Sequence, residues 1–184
     1  MIDLRSDHFK KTEQRVQITV DFLDETELPI LDIGQPNEHC EYLKKKFNVE
    51  ITNTQGNLDL DKWTPLNPKH AKYNTVFCFE VIEHLMSPRF FLERLKKFIT
   101  KDTFIYISYP RRIEFFWTRY HFHEYSTKRF LHMIDDAGYE VVKHKWIWER
   151  GKGFIFGIRP LFRLTPIGRA RRHFYKLRLK KEGK

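Results

Sequence analysis

Residues 76–79, Val-Phe-Cys-Phe, form an unbroken β-branched and aromatic run that stops abruptly at Glu80, with Glu83 and His84 one turn later. A short apolar run of this kind suits a strand covered on both faces, as in a parallel sheet flanked by helices. Ligands of open α/β sheets bind outside the carboxyl ends of the strands, so Glu80, Glu83 and His84 stand where chemistry is expected. Ser87-Pro88 then starts a helix with Phe91, Leu92, Leu95, Phe98 and Ile99 on one face.

The rest of the chain supplies further units of the same kind. Between Thr12 and Asp24, Val16, Val20 and Leu23 recur at helical spacing, so residues 1–27 read as an N-terminal helical segment. Leu28 to Gly34 is a short strand ending in Asp32-Ile33-Gly34, and a helical pattern follows through Leu43 to Phe47. A second strand is expected over Val49–Thr54, and Pro65 and Pro68 leave little room for a helix before Thr75. Thr103–Tyr109 is a buried strand stopped by Pro110. An aromatic loop follows, with Phe115, Phe116, Trp117, Tyr120 and Tyr125, and loops of that length are often functional. Ser126 caps a helix with Phe130, Leu131, Ile134 and Ala137 inward, and Gly138 ends it. Tyr139–Glu149 and Phe154–Ile158 suggest a closing hairpin across Arg150-Gly151-Lys152-Gly153. The expected fold is α/β, a Rossmann-like, mostly parallel sheet with helices on both faces and a C-terminal β-hairpin.

Charge is divided unevenly along the chain. Residues 150–184 carry twelve Lys or Arg against Glu182 alone, whereas the first 149 residues carry 22 basic and 23 acidic side chains. Residues 159–184 therefore read as a basic amphipathic tail, with Arg169 to Lys181 a helix candidate. One expectation is a membrane-surface helix with Phe162, Leu164, Phe174, Leu177 and Leu179 against lipid. The other, less favoured because no RNA-binding module signature accompanies the charges, is a nucleic-acid arm with Arg169, Arg171, Arg172, Lys176, Arg178 and Lys180 on phosphates. Two cysteines, Cys40 and Cys78, and the lack of an apolar leader or membrane span give a cytoplasmic expectation, peripheral at the membrane if the tail binds lipid.

Three stretches together carry a family likeness: Asp32-Ile33-Gly34, Glu80-Val81-Ile82-Glu83-His84, and His121-Phe122-His123-Glu124-Tyr125-Ser126. With them, residues 28–158 resemble a small class I S-adenosylmethionine-dependent methyltransferase domain. The glycine turn diverges, since Gln35, Pro36, Asn37 and Glu38 stand where that family usually has further glycines. The resemblance implies S-adenosyl-L-methionine as cofactor, lying across Asp32, Gly34, Asn53, Asp59, Phe79 and Glu80. The family's acid after the second strand is replaced by Asn53, Thr54 and Gln55, with Asp59 the nearest carboxylate.

Similar Glu-Val-Ile-Glu-His blocks in small-RNA 2′-O-methyltransferases and ubiquinone-pathway O-methyltransferases bind a divalent metal, with a further histidine from a later loop. The resemblance thus implies Glu80, Glu83, His84 and His121 as metal ligands, with His121 matching the later position better than His123. Two carboxylates and two imidazoles suit Mn²⁺, Fe²⁺, Co²⁺ or Zn²⁺ better than Mg²⁺. Without a metal, His84 serves as general base, with Glu83 and His121 beside it. The activity expected is O-methylation of a small-molecule, glycan or lipid-linked acceptor. The alternatives are a catalytically inactive methyltransferase-like binding or scaffold protein and an RNA methyltransferase using the basic tail.

Overall fold

The computed structural model describes residues 16–111, 121–123, 125–149 and 170–181. A helix over residues 16–22 (α1) is followed by β1 (Ile30–Asp32), α2 (Glu38–Phe47), β2 (Ile51–Gln55), β3 (Thr64–Pro65) and β4 (Tyr73–Phe79). A 3₁₀ turn at Ile82–His84 leads to α3 (Pro88–Leu95), β5 (Ile99–Arg111), α4 (Thr127–Asp136), β6 (Tyr139–Glu149) and β7 (Ala170–Leu179). The seven strands form one sheet in the order β3-β2-β1-β4-β5-β7-β6. β2, β1, β4 and β5 run parallel, while β3 is antiparallel to β2 and β7 is antiparallel to both β5 and β6.

Alternation along the strands builds two cores. Leu31, Val76, Cys78, Ile105, Ile107, Tyr175 and Leu177 face α3 and α4, meeting Phe91, Leu92, Leu95, Phe130 and Ile134. Ile30, Ile51, Phe77, Tyr106 and Phe174 face the other way, against Val16 and Phe22 of α1 and Cys40 and Leu43 of α2. The cap at Ser126 is as expected, whereas α2 has a cap at Asn37 that was not read from the sequence. Asn37 caps α2 by accepting from Cys40 N at 3.0 Å, and Ser126 caps α4 by accepting from Arg129 N at 3.2 Å. Ser87 precedes α3 without a side-chain cap bond; its own N–H instead donates to Asp59 Oδ1 at 2.8 Å. Leu131, expected inward, is exposed, because the buried stripe of α4 runs through Phe130, Ile134 and Ala137.

The C-terminal region departs most from expectation. Residues 170–179 form a strand, not a basic helix, and it is inserted between β5 and β6. β6 does form an antiparallel pair with the next strand, but that strand is β7; Phe154–Ile158 lies outside the described residues, as do Phe162, Leu164 and Arg169. Phe174 and Leu177, expected against lipid, are buried core, and Leu179 packs at its margin. Four of the six cations expected on phosphates meet acids of the same chain: Arg172 meets Glu80, Lys176 meets Asp24 and Glu25, Arg178 meets Glu140 and Lys180 meets Asp135. No helix of the described residues is long and apolar enough to cross a membrane.

Lys176 shows why the strand can be both basic and central. Its side chain is 3 % exposed, its Nζ donates to Asp24 Oδ1 at 2.9 Å and Glu25 Oε2 at 2.7 Å, and it stands 3.8 Å from the centre of the Phe104 ring. Burial alone would raise the Asp24 carboxyl, yet bonds from Lys143, Lys176 and Tyr106 outweigh it and hold the group well below the usual carboxylate range. A depressed carboxylate stabilises the fold above its unfolded value near 4 and loses that contribution as the pH falls through its folded value. Replacing Lys176→Met strands two carboxylates that can partly rehydrate, so the expected loss is about 1–3 kcal/mol, below the about 3–5 of a fully buried pair. Urea unfolding at pH 7 measures it, and the gap between the two proteins should shrink at pH 3.

Candidate functional site

α2 and α3, which follow β1 and β4, pack on opposite faces of the sheet, so the carboxyl ends of these neighbouring strands form its switch point, the place where open α/β sheets bind ligands. Gly34, just beyond β1, has φ 125°, and no heavy atom lies within 4 Å of the place a Cβ would take. Its N–H donates to Thr54 Oγ1 at 2.8 Å and its carbonyl accepts from Thr54 N at 3.1 Å. The turn is thereby tied to β2 while its outer side stays open.

Asp32 lies beneath this turn. Asn53 Nδ2 donates to its Oδ2 at 3.1 Å, and Asn53 Oδ1 accepts from Cys40 Sγ at 3.4 Å. Burial pushes the Asp32 carboxyl up to about 7, the bonds from Cys40 and Asn53 acting in the opposite sense. Burial, followed by the Asp32 charge, pushes the Cys40 thiol up to about 12, so it remains a donor. Other residues expected along the cofactor are engaged inside the fold. Asn53 is buried with its amide turned to Asp32, Asp59 holds Ser87 N, and Phe79 stacks between His39 and Phe77, with ring centres 5.6 and 5.4 Å away.

At the end of β4, Glu80 adopts a left-handed backbone with φ 55°. Its N–H donates to Ser108 O at 3.0 Å, Ser108 Oγ donates to its Oε1 at 3.0 Å, and Arg172 Nε stands 3.1 Å from the same oxygen. The Ile82–His84 turn then presents Glu83, buried, and His84, with its side chain 43 % exposed. His121 comes to the same place. Glu83, His84 and His121 each offer a ligand atom, all within 4.8 Å of one another, and the two imidazoles stand edge to face at 4.7 Å. The second loop is fastened there by its backbone, for Phe122 N and His123 N both donate to Glu83 O, at 2.9 and 3.2 Å.

Three of the four expected metal ligands are therefore together. Glu80 is not in that group, because the left-handed turn aims its carboxylate at Ser108 and Arg172. His123 points its Nε2 at Met86 O, 3.3 Å away, and stacks on Tyr125. The aromatic residues 115–117 and 120 lie outside the described residues. Sequence reading missed Ser108 and Arg172 as neighbours of this site. The available signal was the alternation Tyr175, Leu177, Leu179, whose period of two marks a strand where the charge pattern suggested a helix.

No protein-family model matches the chain, and no curated protein does. Many solved structures resemble it in fold. A chain from the complex of the Haloferax volcanii Trm112 methyltransferase activator with a candidate methyltransferase aligns at TM-score 0.63 and 11 % identity, covering 98 % of this chain and 95 % of that one. A SAM-dependent methyltransferase from Archaeoglobus fulgidus aligns at TM-score 0.58 and 13 % identity, covering 91 % and 93 %. Coclaurine N-methyltransferase, solved with N-methylheliamine and SAH, aligns at 0.54 and 12 %, covering 90 % and 72 %.

The Asp32 environment generates a test. A carboxyl raised to about 7 favours folding in its protonated form, so its ionisation costs stability as pH rises from about 4 to about 7, and the full cost is present above that. Asp32→Asn should therefore raise the Tm more at pH 8 than at pH 5, the two gains differing by the equivalent of about 3 kcal/mol at most. A Tm difference independent of pH would contradict this. The strand order, the two helical layers and the structural neighbours agree: the chain has the class I S-adenosylmethionine-dependent methyltransferase fold.

Proposed function

We propose that the chain is an S-adenosylmethionine-dependent methyltransferase that acts on an acceptor hydroxyl. The observation that carries the reading is the convergence of Glu83, His84 and His121 beside the β1–β4 switch point. The cofactor fits on one feature of the turn: at Gly34 a positive φ meets open space, so backbone can approach a ligand where a side chain would intrude. The N-terminal end of α2 would hold its amino-acid part, with Asp32 buried behind the turn. When bound, the cofactor supplies an already activated methyl group.

The residues of this chain then have two tasks, orienting the acceptor and taking its proton. His84 is accessible at the mouth of the site and His121 is buried behind it, so His84 Nε2 is the natural first acceptor of the hydroxyl proton. Glu83, whose Oε1 is 3.9 Å from that nitrogen, stabilises the imidazolium that results. The same three side chains suit a Mn²⁺, Fe²⁺, Co²⁺ or Zn²⁺ ion, which would lower the hydroxyl's pKa. Acceptors of small-molecule, glycan or lipid-linked type remain the proposed class. The internal pairing of Arg172, Lys176, Arg178 and Lys180 removes most of the support for an RNA arm.

A second reading, a binding or scaffold protein without catalysis, is favoured by the first turn of α2. Glu38 and Glu41 already complement the helix dipole there and oppose a bound carboxylate. The neighbour named as the [4+2]-cyclase SpnF, at TM-score 0.54, shows that this fold also carries other names. Calorimetry with S-adenosylmethionine and S-adenosylhomocysteine separates the two: binding is expected, and no heat and no thermal shift at millimolar ligand would sink the enzyme reading. Once an acceptor is found, His84→Ala and His121→Ala should each lower kcat by about 10²–10⁴-fold. Equal activity with a chelator and with added Mn²⁺ would remove the metal while leaving the imidazole as base.

A further inference from the structure

We infer that Arg172, in the last strand, is a positioning residue for the Glu83–His84–His121 cluster, acting through the backbone of Glu80. A non-glycine residue at φ 55° is held against its intrinsic preference, and such conformations persist only where the surroundings over-determine them. At Glu80 the surroundings are β5 and β7: Ser108 fixes the main chain and the carboxylate, and Arg172 neutralises that carboxylate from a side chain 7 % exposed. The left-handed residue is separated from the 3₁₀ segment by Val81 alone, so its backbone direction bears on where Glu83 and His84 emerge.

A second link carries this geometry onward. Glu83 O accepts the N–H groups of both Phe122 and His123, so the loop that brings His121 is registered on the same turn. Displacing the turn moves two ligating side chains and loosens the third. Glycine at position 80 would adopt the same φ at no steric cost and would carry no charge in need of a partner. The arginine is thus required because residue 80 is a glutamate, and this dependence is testable. The consequence for turnover rests on the acceptor-side reading of the cluster; the dependence itself does not.

Native-state hydrogen exchange on the full chain reads it without activity. In Arg172→Met, the Phe122 and His123 amides should exchange about tenfold faster or more, while Phe174 and Leu177 in the centre of β7 keep their protection. Arg172→Lys should give a smaller effect. Adding Glu80→Gly to Arg172→Met should restore the protection of Phe122 and His123. Unchanged exchange in Arg172→Met would overturn the inference, and so would a double variant no better protected than the single one. Deprotection of Phe174 and Leu177 alongside the loop would overturn it too, by showing that Arg172 serves β7 as a whole. Should cofactor binding fail in calorimetry while the exchange pattern holds, the enzyme reading falls and the positioning role stands.

Discussion

Everything at the carboxyl edge of the sheet depends on a basic strand being buried between β5 and β6. Burying a cation costs several kcal/mol unless opposite charge meets it. Along β7 that charge comes from three separate parts of the chain: Glu80 after β4, Asp24 and Glu25 after α1, and Glu140 on β6. These pairs tie the strand to the segment after α1 and to the turn that ends β4. Through β7, ion pairs join Asp24 and Glu25 to the same strand that meets Glu80.

The two halves of the site are built on different principles. On the cofactor side the polar groups are spent inside the fold, with Cys40, Asn53 and Asp32 forming a buried chain of bonds and Asp59 holding the start of α3. What faces outward is backbone, opened by Gly34. On the acceptor side the side chains themselves converge, with an exposed imidazole in front of a buried one and a buried carboxylate beside them. Recognition through main chain on one side and chemistry through side chains on the other is a division suited to an activated ligand that needs only placement and an acceptor that must lose a proton.

The alternation of β1, α2, β2, β4, α3, β5, α4 and β6, the two-faced burial of β4 and β5, the cap at Ser126, and the candidacy of Glu83, His84 and His121 were legible in the sequence. They follow from local rules, namely alternation, capping chemistry and the abrupt polar end of an apolar run. Three placements are hidden from any short stretch for a common reason. Arg172 and Lys176 looked like a charged tail because composition counts charges without their partners, and the partners are 92 and 151 residues away for Glu80 and Glu25. Glu80 looked like a ligand because spacing cannot reveal a left-handed φ. Asn53 looked like a substitute for a ribose-binding acid, although its amide is used by Asp32.

The sequence by itself determined which residues could do chemistry here and on which kind of scaffold, since side-chain type and hydrophobic period are properties of short stretches. Only the tertiary structure decided which of those residues meet. His121 joins Glu83 and His84 through two backbone bonds to a carbonyl 39 residues upstream of Phe122, and Glu80 leaves them for Arg172 because β7 closes beside β5. Contacts of that separation depend on how strands order themselves in the sheet, and strand order is a property of the whole chain.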